Sequence, residues 1–115
     1  MCILYFLTAL IFCECRNCDE EEKRMVGSVV INRIRSENYP NNIYGVISQP
    51  GEFDKPCQGN FVADPSCISA AAYVLMHGPI NDCVLFFQLK HIKPWSKKMR
   101  LVSSMKHHNF YAYDY

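Results

Sequence analysis

The chain opens on an apolar run, M-C-I-L-Y-F-L-T-A-L-I-F-C, broken only by Thr8. Such a run predicts a buried first helix over Ile3–Cys15. No Lys or Arg precedes it, no small-x-small cleavage site follows it, and Phe12 is too bulky to precede a lipoprotein cleavage at Cys13. It is also shorter than the roughly 20 residues that cross a bilayer, so no stable membrane span is expected, and a weak anchor is the lesser alternative. A polar turn over 16–19 follows. Asp19 and Glu22 then stand at capping-box spacing, which starts a second helix. Met25, Val26, Val29, Val30 and Ile34 line one face of it. Its end is expected near Ser36, because Tyr39 precedes Pro40 and is pushed out of helical geometry.

A short helix is expected over 43–48, then a turn at Pro50-Gly51 and a loop over 52–63 containing Pro56 and Gly59. Asp64-Pro65 is an N-cap followed by proline at the first helical position, so a helix runs over 66–77 and closes at Gly78 before Pro79. After it the period changes. Residues 83–89 (C-V-L-F-F-Q-L) and 109–113 (N-F-Y-A-Y) predict two partner strands. Helices first and a small antiparallel sheet late make an α+β, mainly helical fold, with one domain over 1–115.

Composition narrows the function classes. With 115 residues, 50% hydrophobic, 20% charged and a net charge of +1, the chain is neither disordered nor the size of two domains. Twelve basic against eleven acidic residues leave no excess for a phosphate backbone, so no nucleic acid is expected as partner. Lys93, Lys97, Lys98, Arg100 and Lys106 bias the carboxy-terminal third positive. That bias suits the carboxylates of peptide stems, but a merely solvated face explains it better.

The seven cysteines are an odd count, which leaves at least one thiol unpaired. Cys13, Cys15 and Cys18 read C-x-C-x-x-C, a metal-like spacing without a second pair to complete four ligands. Buried thiols acting as small hydrophobes are the favoured reading, with zinc or a local disulfide as alternatives. Neither metal nor cofactor is expected.

Glu14 is the residue that asks for chemistry. It ends a mostly apolar helix, where lost hydration disfavours a carboxylate and holds a glutamic acid protonated long enough to donate a proton. On residue physics alone, the start of a solvent-facing polar stretch explains it better than catalysis does.

The surrounding pattern shifts that balance. Residues 14–34, E-C-R-N-C-D-E-E-E-K-R-M-V-G-S-V-V-I-N-R-I, resemble without a gap the E-A-R-G-E-P-Y-E-G-K-V-A-V-A-A-V-V-L-N-R-V segment of the spore-cortex-lytic, cell-wall hydrolase family. Tyr39-Pro40, Gly45-Val46-Ile47 and Gln49-Pro50-Gly51-Glu52-Phe53 follow in order, similar to that family's Y-P, G-V-I and Q-P-G-Q-F. Residues 70–78 match a helix ending in glycine. Phe86-Phe87, Trp95 and His108-Asn109-Phe110-Tyr111 match its F-F, W and closing H-x-F-Y. The resemblance covers residues 5–111.

It implies a lysozyme-like catalytic core acting on peptidoglycan glycan strands. The bond cut would be the β-1,4 link between N-acetylmuramic acid and N-acetylglucosamine, by a lytic transglycosylase that leaves a 1,6-anhydro end. Glu14 aligns with the family's catalytic acid, and Asn32, Glu52, Phe53, Trp95, His108 and Tyr111 are candidate substrate-binding or supporting residues. Asn32 either hydrogen-bonds the turn bearing Glu14, the slightly favoured reading, or satisfies backbone. Trp95 either stacks on sugar or packs in the core. His108 either keeps the cleft polar or is structural. Tyr111 either donates to an acetamido group or packs on the neighbouring strand.

Two departures stand out. The second glutamate of the family's E-x-x-x-E is Cys18, so support from that acid is expected to be lost. The glutamine before phenylalanine is Glu52, read first as a sugar-binding acceptor and second as a carboxylate that activates water.

Three rivals remain: a zinc or thiol module on the amino-terminal cysteines, a cysteine nucleophile with a histidine base, and a wall-binding module without activity. The oligomeric state is not legible. Action at the bacterial wall without a recognisable export signal suggests a virus-encoded lysin released from the host cytoplasm, or a start lying upstream.

Overall fold

The computed structural model describes residues 3–49, 64–94 and 96–113. Four helices precede three strands: α1 (Ile3–Cys15), α2 (Glu20–Arg35), α3 (Ile43–Ile47), α4 (Pro65–His77), β1 (Phe86–Leu89), β2 (Met99–Ser104) and β3 (His108–Tyr113). This is the expected α+β fold, mainly helical with a small late antiparallel sheet.

The amino-terminal run is a helix whose middle is core. Leu7, Ala9, Leu10 and Ile11 are buried there together with Thr8. α1 lies against α4 and α2, and the three pool Leu7, Ile11, Val26, Val29, Val30, Cys67, Ala70 and Val74 in one cluster. Burial of this apolar surface is the main stabilising term, at about 25 cal/mol per Å2 removed from water. Helix α2 passes so close to α4 that a Cβ at Gly27 would stand 2.9 Å from Val74 Cγ2 and 3.4 Å from Ile11 Cδ1.

The helix ends follow the local signals. Asp19 caps α2, its carboxylate accepting from the Glu22 N–H at 2.9 Å. Only half of the capping box forms, because the Glu22 side chain turns away to a distant partner. Asp64 caps α4, accepting from the backbone N–H of Ser66 and Cys67 and from the Ser66 hydroxyl. Those bonds hold its carboxyl below the ordinary aspartate range. Lys23, itself buried, donates to the Ser66 hydroxyl at 2.8 Å and ties α2 to the start of α4.

The sheet has the order β1-β3-β2, so the last strand is the middle one and pairs antiparallel on both sides. The expected pairing of the 83–89 and 109–113 segments is present, with Phe86 opposite Tyr111 and Gln88 opposite Asn109. β2 is an additional strand that the sequence reading lacked. It is an edge strand with exposed Arg100 and Leu101, and its register shifts between Leu101 and Ser103. The clean alternation that announces a half-buried strand is therefore missing.

The favoured reading of the amino-terminal cysteines as free thiols does not hold. Cys15 and Cys18 form a disulfide across the turn between α1 and α2, and Cys13 is disulfide-bonded as well. Among the described residues the free cysteines are Cys67, buried, and Cys83, exposed.

Candidate active site

Where α1 runs out, its last turn enters a cleft of about 230 Å3. Cys13, Glu14, Cys15, Arg16, Asn17 and Cys18 form one wall, and Leu89, His107 and His108 the other. The first wall is the end of α1 and its following turn, held by the Cys18 N–H donating to the Cys15 carbonyl at 3.0 Å and by the disulfide. The second is the end of β1 and the start of β3, which pair as Leu89 opposite His108. Glu14 is half-buried in this lining, and among the described residues it is the one carboxylate there.

Behind the cleft lies a buried polar knot. The Glu22 carboxylate is fully buried and meets His108 Nδ1 at 2.7 Å. It also accepts the backbone N–H of His107, at 3.2 Å to each oxygen. The His108 ring stands edge-on to Phe87 with centroids 5.5 Å apart, and its Nδ1 lies 3.9 Å from the Cys18 sulfur. A buried carboxylate needs such partners, because without them its desolvation cost is not offset.

Of the sequence candidates, the structure brings Glu14 and His108 into one cleft. Asn32 goes elsewhere. Its amide donates to the Asn81 carbonyl at 2.8 Å and the Val84 carbonyl at 2.9 Å, so it fastens α2 to the segment entering β1. The favoured bond to the turn bearing Glu14 is therefore replaced by the alternative, backbone satisfaction. Tyr111 is buried between the neighbouring strands, opposite Phe86 and Leu101, in a small cluster with Phe86 and Met99. It packs the sheet and does not line this cleft. Glu52, Phe53 and Trp95 lie outside the described residues. The basic residues Lys93, Lys97, Lys98, Arg100 and Lys106 are all exposed.

Glu22 and the His107 backbone were missed. The capping-box spacing gave Glu22 a sufficient local role, and its actual partner sits 86 positions away in the chain. Arg33 was missed as well. It is buried, donates to the Leu85 carbonyl at 2.8 Å, and stacks its guanidinium near the Tyr39 and Phe86 rings.

The cell wall hydrolase family profile matches residues 18–111. The chain belongs to the cell wall hydrolase family. The matched region takes in α2, β1, β2, β3 as far as Tyr111 and both histidines of the cleft, and begins four residues after Glu14. Two solved structures share the fold. The catalytic domain of the germination-specific lytic transglycosylase SleB from Bacillus anthracis superposes with a TM-score of 0.78 at 19% identity, covering 94% of this chain and 92% of that one. The catalytic domain of the SleB protein from Bacillus cereus gives 0.80 at 18% identity, covering 94% and 88%. None of the curated proteins matches. No helix among the described residues is long and apolar enough to cross a membrane. The chain is thus a wall-degrading enzyme by family.

Proposed function

We propose that this cell wall hydrolase cleaves peptidoglycan glycan strands at the β-1,4 bond between N-acetylmuramic acid and N-acetylglucosamine, as a lytic transglycosylase with Glu14 as general acid and base. The observation that carries the proposal is the placement of Glu14. It is half-buried at the end of α1, in the wall of a cleft where no second carboxylate stands among the described residues. The SleB structures that share the fold are named as lytic transglycosylase and catalytic domain, which supports the same reading.

A single carboxyl group suits this reaction. Protonated Glu14 donates its proton to the glycosidic oxygen as the bond to the anomeric carbon breaks. The carboxylate that results then takes the proton of the muramic C6 hydroxyl as that oxygen closes on the anomeric carbon. The proton is returned, no water is consumed, and a 1,6-anhydro end is left. Positioned proton transfer of this kind contributes about 10²–10⁴-fold. A hydrolase running on two carboxylates needs a second acid across the bond to activate water or to attack directly. Glu52 is the residue to which the sequence would assign that work.

His108, fixed by Glu22, forms the wall facing Glu14 and keeps it polar. We place the action at the bacterial wall, reached by a virus-encoded lysin released from the host cytoplasm.

The test is digestion of purified peptidoglycan by wild type and Glu14→Gln, with product ends read by mass spectrometry. Anhydro ends from wild type and their loss in the variant are expected. Undiminished lysis by Glu14→Gln would remove Glu14 from the chemistry. Reducing ends in place of anhydro ends would make the enzyme a hydrolase.

A further inference from the structure

Along the sequence, the C-x-x-C of Cys15 and Cys18 lacks two ligands. The fold supplies them. Glu22 comes from the first turn of α2 and His108 from the start of β3, and one ligand atom from each of the four side chains lies within 4.8 Å of the others. All four residues are buried. Two sulfurs, an imidazole nitrogen and a carboxylate oxygen form a donor set for a four-coordinate zinc ion, which takes Zn–S distances of about 2.3 Å and Zn–N or Zn–O distances of about 2.0–2.2 Å. A tetrahedron of those dimensions has edges of about 3.3–3.8 Å. The Cys18 sulfur already stands 3.9 Å from His108 Nδ1, and Glu22 Oε2 at 2.7 Å from that nitrogen has only to open by a fraction of an ångström.

We propose that the reduced chain holds one zinc ion on Cys15, Cys18, Glu22 and His108, and that the Cys15–Cys18 disulfide is the metal-free, oxidised state of the same site. The change between the two states is balanced by a dithiol reductant. The reductant gives two electrons and two protons to the sulfur–sulfur bond and closes to its own disulfide, leaving two thiols. Zinc then displaces the two thiol protons to solvent, and the proton between His108 Nδ1 and Glu22 moves to Nε2 so that Nδ1 can bind. The two thiolates and the carboxylate, with a neutral imidazole, leave the site with one net negative charge.

Each ligand has a reason to be ready. The His107 N–H already orients the Glu22 carboxylate from outside the cluster, the kind of outer bond that fixes a metal-binding carboxylate. The Phe87 ring edge fixes the His108 plane. In a reducing cytoplasm, where disulfides do not persist, the ion would hold the turn after Glu14 in the shape that the disulfide gives it outside.

Cobalt(II), titrated into the full chain, tests the proposal, because tetrahedral cobalt–thiolate sites give a charge-transfer band and intense visible bands. The protein is first reduced by a water-soluble phosphine, which leaves as its oxide with the oxygen of water. The expected result is one equivalent of cobalt bound with thiolate bands, displaced by one equivalent of zinc. The air-oxidised chain should give no band, although Cys67 and Cys83 remain thiols in it. Cys15→Ser should lose the thiolate pair, and Glu22→Gln, which keeps both cysteines, should weaken binding and shift the visible bands. Absence of the bands in the reduced wild type overturns the proposal. So does their survival in the oxidised chain or in a chain carrying Cys15→Ser and Cys18→Ser, and so does a Glu22→Gln spectrum and affinity equal to wild type.

Discussion

Glu22 and His108 join the first turn of α2 to the first residue of β3 through a contact of 2.7 Å, with neither side chain open to solvent. This pair ties the start of β3 to the helix that follows the turn beside Glu14. Removing one partner of a buried pair leaves the other without an offset for its lost hydration. His108→Ala is therefore expected to lower stability by about 3 kcal/mol or more, leaving Glu22 only the His107 N–H. Glu22→Gln retains an oxygen to accept that N–H and is expected to cost about 1 kcal/mol. Denaturant unfolding of both variants checks the order, and a larger loss for Glu22→Gln would contradict it.

The Asp64 cap gives stability a pH dependence in the acid range. Its carboxyl is lowered from 3.8 chiefly by the Ser66 hydroxyl and the Cys67 N–H, both of which bind its charged form. A lowered folded value means that the contribution is complete above the unfolded value and is lost as pH falls through the folded one. Asp64→Ala is expected to cost about 0.5–2 kcal/mol at neutral pH, as N-cap removals do. The gap in melting temperature between the two proteins should narrow below about pH 4. A gap that stays constant down to pH 2 would mean that the charge plays no part.

The two free thiols among the described residues should differ sharply in reactivity. Burial, and after it the nearby Asp64 carboxylate, push the Cys67 thiol up to about 11, whereas Cys83 is exposed. At pH 8 Cys67 is then about 0.1% thiolate, and thiolate is the reactive form. Alkylation of the folded chain followed by peptide mass spectrometry should find Cys83 modified and Cys67 not. Modification of Cys67 at a comparable rate would show that α4 opens.

Gly27→Ala probes the close approach of α2 to α4. The added methyl would meet Val74 Cγ2 at 2.9 Å, nearer than such atoms approach, and overpacking costs about 1–3 kcal/mol. Against this stands a helix-propensity gain of about 1 kcal/mol. A net loss in melting temperature is expected in the wild-type background and a gain in the Val74→Ala background. Equal shifts in both would locate the effect outside this contact.

How much of this was written in the chain depends on the range of each interaction. The start of α2 and both ends of α4 were legible because Asp19, Asp64, Pro65 and Gly78 act within their own turn. The turn carrying Glu14 was legible as an apolar helix meeting polar residues. β2 was not, because an edge strand with Leu101 outward and a register shift has no clean period. The Glu22–His108 knot was hidden for the opposite reason. Glu22 had a plausible neighbour three residues away, and no local signal points to one 86 positions on. Asn32 shows the same limit, since an amide within an apolar face announces a buried bond but not that its acceptors are Asn81 and Val84.

The strand order has a consequence for synthesis. Because β1 and β2 each pair with β3 and not with one another, neither has a neighbour until residues 108–113 have left the ribosome. The helices can collapse earlier on their own cluster, but the wall facing Glu14 arrives with the last strand. On the role proposed for Glu14, the nascent chain is expected to stay inert until then, and a chain cut short before residue 108 to be a stub without that wall.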